Sequence, residues 1–341
     1  MKITYRIVKL IAEIDEFKGY WKGMERLSAQ RLAEMEILAT IESIGSSTRI
    51  EGAALSNREV AALLKVLERR SFRSRDEQEV AGYAEAMQLI HDSHGEITLT
   101  ENNIKYLHKV ILKFSAKDSW HLGEYKKHPN HVAAFDAKGN QIGIIFETAS
   151  PLHTPRLMKQ LVRTTRERFQ DEDIHPLLTI ADFTVRYLAI HPFQDGNGRL
   201  SRILTNLLLV RNGYTLVKYS SHERIVEANK DQYYQALRSS QQKLESLPDF
   251  SLTWAAFFLE LLKKQKDDLK AKIDRERNAH RLPDLSLKIE SLAKDHGRVT
   301  VAFLTGELKA NRNTIKKHLQ KLVEFGRLVK HGKGRGTFYS S

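Results

Sequence analysis

Residues 191–202 read HPFQDGNGRLSR. They follow Phe183, Val185, Leu188, Ala189 and Ile190, apolar positions that read as a buried helix leading to His191. Pro192 cannot continue that helix without cost, so His191 stands where it stops, at the rim of a turn. Gly196 and Gly198 lack Cβ atoms, which lets the backbone take unusual φ values and approach a ligand closely. A second helix is expected from about Asn197 to Val210, and its free N–H groups and dipole favour an anion. Arg199 and Arg202 stand three apart, neighbours on the surface of that helix, and guanidinium groups suit phosphate oxygens. Asp195 is out of place in an anion site unless a divalent cation bridges it to the anion, the way Mg2+ is usually held. A neutral imidazole can take a proton from a hydroxyl at pH 7. These parts describe a Mg2+-nucleotide or pyrophosphate site with a general base. The reaction class is transfer of a phosphorus-centred group to a hydroxyl, with water as the simplest acceptor.

The chain around this stretch has 341 residues, enough for about two domains, and its 41% apolar content supports a sizeable core. It has no cysteine, which excludes disulfides, a thiolate nucleophile and cysteine-based zinc sites. The N-terminal MKITYRIVKLIAEIDEFKG carries Glu13, Asp15 and Glu16 where a signal peptide would need an apolar run. No stretch approaches the length of a membrane span, so a soluble, cytoplasmic protein with no membrane partner is expected. The net charge of +13 is unevenly placed: residues 285–341 hold 12 Lys or Arg against 4 Asp or Glu. That asymmetry suggests an anionic partner for the C-terminal part, or a solubilising surface.

Most of the chain reads as helix. Ile37, Leu38, Ile41 and Ile44 mark a helix over 24–44 that Gly45 ends. Ser56 and Glu59 form a capping box for a helix reaching Arg70, and Thr100 is the N-cap of a helix over 101–114. Further helices are expected over 75–92, 155–170, 176–190, 223–244 and 250–273. HPNHVAAFDAKGNQIGIIFETA, residues 128–149, is different: alternating and β-branched residues around Asp136-Ala137-Lys138-Gly139-Asn140 signal a β-hairpin.

With every fixed position present, HPFQDGNGRLSR resembles the Fic signature, H-P-F-x-D/E-G-N-G-R-x-x-R. The resemblance implies a mainly α fold: a Fic-type helical core with a β-hairpin flap. It implies transfer of AMP from ATP to a Ser, Thr or Tyr hydroxyl of a protein, with Mg2+. Here His191 would deprotonate the hydroxyl and Asp195 would hold the metal against the α- and β-phosphates. Gly196, Asn197 and Gly198 would bind the α-phosphate, Arg199 and Arg202 would grip the β- and γ-phosphates, and Leu200 and Ser201 complete the nucleotide-binding stretch. Gly143, Ile144, Ile145 and Phe146 are the candidate flap edge, on which an extended protein target would add as a strand. Ser150-Pro151 stands where many relatives have a Pro-Pro pair. DQYYQAL resembles the family's Y-Y-x-x-L pattern, placing Tyr233 and Tyr234 beside the adenine, with one ring of the two touching it. Related proteins transfer UMP, phosphate or phosphocholine, but the complete G-N-G-R-x-x-R favours a nucleoside triphosphate.

SSTRIEG, residues 46–52, resembles the family's inhibitory motif S/T-x-x-x-E-G/N. Ser47 and Glu51 are i and i+4 on a short helix, and Gly52 suits its C-terminal cap. The resemblance implies that Glu51 pairs with Arg202 and blocks productive docking of the γ-phosphate.

Residues 285–341 read as helix, short strand, helix, helix and hairpin, with NRNTIKKHLQKLVEFG as the third helix. This resembles a small α+β winged helix-turn-helix domain, in which Arg312, Lys316 and Lys317 would meet DNA and Lys333 and Arg335 in the wing would contact its backbone. The expected organisation is an N-terminal helical region (1–95) with an inhibitory helix at about 46–52, the catalytic core (96–265), a charged linker or helix (266–284) and the winged helix (285–341). Two functions fit: an autoinhibited AMP-transferase acting on other proteins or on itself, or a DNA-binding regulator whose nucleotide site senses ATP or self-modifies. A homodimer is compatible with both.

Overall fold

The structure is a computed structural model. It describes residues 4–22, 29–66, 72, 74–130, 132–135, 141–241, 251–279 and 283–340. The chain divides into two compact units, Met1–Lys270 and Ala271–Ser341.

The first unit is helical. Its elements are α1 (Tyr5–Lys22), α2 (Ala29–Ile50), α3 (Asn57–Leu64), α4 (Arg75–Ser93), α5 (Glu101–Ile111), β1 (Val132–Phe135), β2 (Gln141–Phe146), α6 (Thr154–Gln170), α7 (Pro176–Ile190), α8 (Asn197–Arg211), α9 (His222–Ala228) and α10 (Lys230–Gln241). α11 (Leu252–Ala279) runs across the division. Several of these helices start on side-chain caps. Ser56 and Glu59 form the capping box, Ser74 accepts from Glu77 N–H, and Thr100 accepts from Asn103 N–H.

α7 and α8 are the centre. Both bury residues on every face, from Leu177 to Ile190 and from Leu200 to Val210, the pattern of a helix enclosed on all sides. Thr184 and Thr205 share a buried hydrogen bond between them at 3.1 Å. α2, α4 and α5 pack on α8, and α6 and α10 pack on α7. Trp254 of α11 is buried and donates its indole N–H to the carbonyl of Ala181 at 2.8 Å. The turn between α7 and α8 is therefore held by the core, while its open side faces a cavity.

β1 and β2 form an antiparallel hairpin with Ala133 opposite Ile144 and Ala134 opposite Gly143. Its tip, residues 136–140, lies outside the described residues.

Three expectations are corrected. Gly45 does not end a helix; α2 continues through it to Ile50, and Ser47 belongs to the last turn of a long helix rather than to a short separate one. A Cβ at Gly45 would lie 2.6 Å from Asn57 Oδ1 and 2.7 Å from Arg49 Nη1, so this glycine serves a close approach inside a helix that burial of Ile44, Ser46 and Ser47 sustains. The helix over 223–244 is two helices, α9 and α10, parting at Asn229, whose side chain bonds back to the Ile225 carbonyl. Helix 101–114 is shorter and ends at Ile111.

The second unit contains α12 (Asp284–His296), α13 (Val301–Leu308), α14 (Arg312–Glu324), β3 (Val329–His331) and β4 (Phe338–Ser340). β3 and β4 are antiparallel, and Val299 bridges to Tyr339. Ile289, Leu304, Ile315, Leu319 and Leu322 make a small closed core. Among the described residues no helix is long and apolar enough to cross a membrane.

Candidate active site

α7 stops at His191 in the left-handed region (φ 51°, ψ 60°), its N–H still donating to the Tyr187 carbonyl at 2.9 Å. A non-glycine residue there is strained, and such strain persists where surrounding structure fixes it. His191 Nδ1 lies 3.2 Å from the Leu188 carbonyl. A carbonyl only accepts, so Nδ1 carries the proton and Nε2 keeps its lone pair. Burial, and then the ammonium of Lys126, hold the imidazole down to about 4, which leaves it neutral at pH 7.

The turn closes on itself through Asn197. Its Oδ1 accepts from Phe193 N–H at 2.9 Å and its Nδ2 donates to the Phe193 carbonyl at 2.7 Å. The side chain of Asn197 thus shapes the loop, and what it leaves for a ligand is its backbone N–H. Gly196 caps α8 with φ 80°. Beneath the turn, Phe193 is buried and stacks on His108 at 3.9 Å. His108 accepts from Gly123 N–H at Nδ1 (2.9 Å) and so donates from Nε2 to the Asp195 carbonyl (3.0 Å). Burial lowers this second imidazole to about 4 as well.

Asp195 turns its carboxylate toward the cavity and accepts from its neighbour Gly196 N–H. Arg199 and Arg75 each approach to 3.4 Å. Burial would raise this carboxyl, but Arg199, the Gly196 amide and Arg75 outweigh it and hold it below the usual range. A single ionised carboxylate facing a cavity fits Mg2+, which takes one or two carboxylates and completes its shell from phosphates and water. No group of three or more His, Asp or Glu that could hold a metal occurs among the described residues.

The two arginines are not on the surface, as their spacing had suggested. α8 is enclosed, and Arg199 and Arg202 are 2% and 3% exposed. Arg199 pairs with Glu79 at 3.3 Å, yet its Nε and Nη1 have no hydrogen-bond partner among the described residues. Arg202 is bonded to the last turn of α2 and to Glu51 just beyond it. Its Nε donates to Ser47 Oγ (2.8 Å) and its Nη2 to the Ser47 carbonyl (3.0 Å) and to Glu51 Oε1 (2.8 Å). Burial opposes the charge on Glu51, but Arg202, Arg199 and His191 keep its carboxyl below the ordinary value. That carboxylate sits over Gly198: a Cβ there would lie 2.1 Å from Glu51 Oε1. Gly52 follows at φ 107° and turns the chain away.

His191, residues 195–199, Arg202 and Glu51 line one cavity of about 400 Å³, with Tyr233, Tyr234, Leu237 and Gln241 of α10 at another part of its wall. Tyr233 is buried and packs edge-on against Tyr234 and Trp254. Leu200 and Ser201 do not reach the cavity; both are buried in α8, and Ser201 Oγ bonds to the Gly198 carbonyl. Gly143, Ile144, Ile145 and Phe146 lie on β2, which pairs with β1 alone among the described residues. In the second unit Arg312, Lys316, Lys317 and Lys333 are exposed, whereas the side chain of Arg335 lies outside the described residues. Arg75, Glu79, His108, Lys126 and Asn130 had not been singled out. No spacing rule marks them, because they come from three separate stretches that only the fold brings to the turn.

Residues 98–209 match the Fic/DOC family. A protein adenylyltransferase Fic of Drosophila mojavensis is 29% identical over 243 residues, 69% of this chain and 44% of that one, so the chain spans less than half of that relative. A Fic family protein from Desulfovibrio desulfuricans superposes over 100% of this chain and 97% of its own, with TM-score 0.64 and 20% identity. A Fic domain containing signaling protein from Bacteroides thetaiotaomicron covers 75% of this chain and 94% of its own, with TM-score 0.59 and 25% identity. With the whole signature on one buried turn, the match across that turn and the shared backbone, the chain carries a Fic/DOC family domain.

Proposed function

We propose that the protein transfers AMP from ATP to a hydroxyl of a protein, itself included, and that Glu51 holds this activity down. The observation that carries the reading is the pairing of a neutral imidazole with unfilled anion donors in one cavity. His191 offers a free Nε2, and Arg199 offers a guanidinium whose Nε has no hydrogen-bond partner among the described residues and whose Nη1 has only the ion pair with Glu79. A buried guanidinium held only by two long ion pairs is incompletely satisfied, and a phosphate at the N-terminus of α8 would relieve it. The relatives named as protein adenylyltransferases support the same chemistry.

In this reading Gly196, Asn197 and Gly198 present backbone N–H groups to the α-phosphate, and Tyr233, Tyr234 and Leu237 flank the base. His191 Nε2 takes the proton of the target hydroxyl. Its oxygen bonds to the α-phosphorus while the bond from that phosphorus to the bridging oxygen breaks, and pyrophosphate leaves with the electron pair. Mg2+, held by Asp195, would supply charge neutralisation to the leaving phosphates. The free edge of β2 offers backbone groups to an extended target segment. Incubating Glu51→Gly protein with ATP labelled at the α- or the γ-phosphate tests this. Label retained only from the α position is expected; retention from the γ position would replace AMP transfer with phosphate transfer.

A second reading concerns the second unit, proposed as a winged-helix reader of DNA. α14 buries Ile315, Leu319 and Leu322 and exposes Arg312, Asn313, Lys316, Lys317, Gln320 and Lys321 on the other face. That basic face fits a duplex groove. It is tested by gel shift of the full chain with duplex DNA; binding that vanishes in moderate salt without sequence preference would reduce it to charge attraction.

A further inference from the structure

Lys126 and Asn130 precede β1, and Thr148 follows β2, so they stand at the two feet of the flap. Lys126 is 4% exposed, a buried ammonium. Each of its three protons has an acceptor: Asn130 Oδ1 at 2.7 Å, Thr148 Oγ1 at 2.9 Å and the Ile190 carbonyl at 3.0 Å. Its own N–H donates to the Pro192 carbonyl at 2.8 Å. Asn130 spends its amide protons on the carbonyls of His191 (3.3 Å) and Phe193 (2.6 Å). The Thr148 hydroxyl is then left to donate to Asn130 Oδ1 at 3.0 Å.

Both feet of the flap are therefore tied to the carbonyls of residues 190, 191 and 193, which bracket the strained histidine. A buried cation with no carboxylate partner among the described residues is expensive, and a structural tie could have been made by neutral groups. We infer that Lys126 and Asn130 are positioning residues that register the target-binding flap against His191 and fix the ring in its left-handed turn. This rests on the transfer activity proposed above, in which the β2 edge presents the hydroxyl to the ring. A point charge with three donors suits the task because it gathers one atom from each foot and one from the end of α7 at once.

The groups facing the His191 ring are Lys126 before β1, Glu51 after α2 and Asp195 in the turn before α8. The test compares Lys126→Met and Lys126→Arg in the Glu51→Gly protein. Two readouts are taken: kcat and KM for ATP in AMP transfer, and the titration of the His191 ring by 1H–15N NMR. Lys126→Met is expected to lower kcat about tenfold to a hundredfold with KM for ATP within twofold, since a small misplacement of reacting groups acts on the chemical step. The His191 midpoint should move upward, because a neighbouring cation is gone. Lys126→Arg, which keeps the charge, should restore the midpoint and part of kcat. Should Lys126→Met fail to fold, Thr148→Val removes one acceptor in a like shape and is expected to move kcat in the same direction. An unchanged His191 midpoint and unchanged kcat in a folded Lys126→Met protein would overturn the inference. If the Glu51→Gly parent transfers no AMP, the proposed function fails, and the His191 titration still decides whether Lys126 governs the ring.

Discussion

At the residue scale, the proposed chemistry turns on one proton. An ordinary histidine titrates near 6.5, but burial and the Lys126 ammonium hold His191 at about 4. A lowered value means the free base persists as the pH falls. In Glu51→Gly protein the rate of AMP transfer should stay level through pH 6.5 and fall only toward about 4; a fall centred near 6.5 would show a solvent-exposed ring. His108 has its own measurable part. Its ring presents one acceptor to Gly123 and one donor to Asp195, so His108→Phe keeps the stack on Phe193 and removes both bonds. We expect a higher Mg2+ concentration for half-maximal rate, by about threefold to tenfold on the loss of one or two net hydrogen bonds, and a melting temperature lower by a few degrees, because the Gly123 N–H and the Asp195 carbonyl lose a buried partner. An unchanged Mg2+ requirement would mean the Asp195 loop holds without it.

At the element scale, the end of α2 is latched as well as inserted. Arg49 forms a two-pronged ion pair with Glu227 of α9 (2.7 and 3.0 Å), and Lys230 donates to the Ile50 carbonyl at 2.8 Å. Partly exposed pairs of this kind contribute about 1 kcal/mol or less. Glu227→Gln should therefore raise AMP transfer about twofold to fivefold while Glu51 is present and leave the Glu51→Gly protein unchanged; equal effects in both would place Glu227 outside the brake. Much of this architecture was legible beforehand. The 191–202 stretch carried the helix–turn–helix and its base, and Ser56 and Thr100 announce helix starts through local hydrogen bonds that the sequence encodes directly. Gly45 misled, because a glycine chosen for a close contact looks the same as one chosen for a turn. Lys126 and Asn130 were silent, since the carbonyls of the turn that they tie lie some 60 residues away and make no local pattern.

At the scale of the whole molecule, the candidate active site and the basic face of α14 belong to different compact units. If the second unit reads DNA, Lys316→Glu/Lys317→Glu should weaken duplex binding of the full chain and flatten its salt dependence, with AMP transfer by the first unit unaltered. Unchanged DNA binding would remove those lysines from the interface. In the first unit Ser47 and Glu51 hold Arg202 and Glu51 fills the space above Gly198, so under the proposed function the resting state rests on one ion pair that a triphosphate must displace. The most direct measurement is transfer of label from α-labelled ATP, compared among the native protein, Glu51→Gly and Glu51→Gly/His191→Ala. The account predicts weak labelling in the first, a rise of about tenfold or more in the second, and loss of about a hundredfold or more in the third. Labelling that is indifferent to Glu51, or that survives without His191, would contradict it.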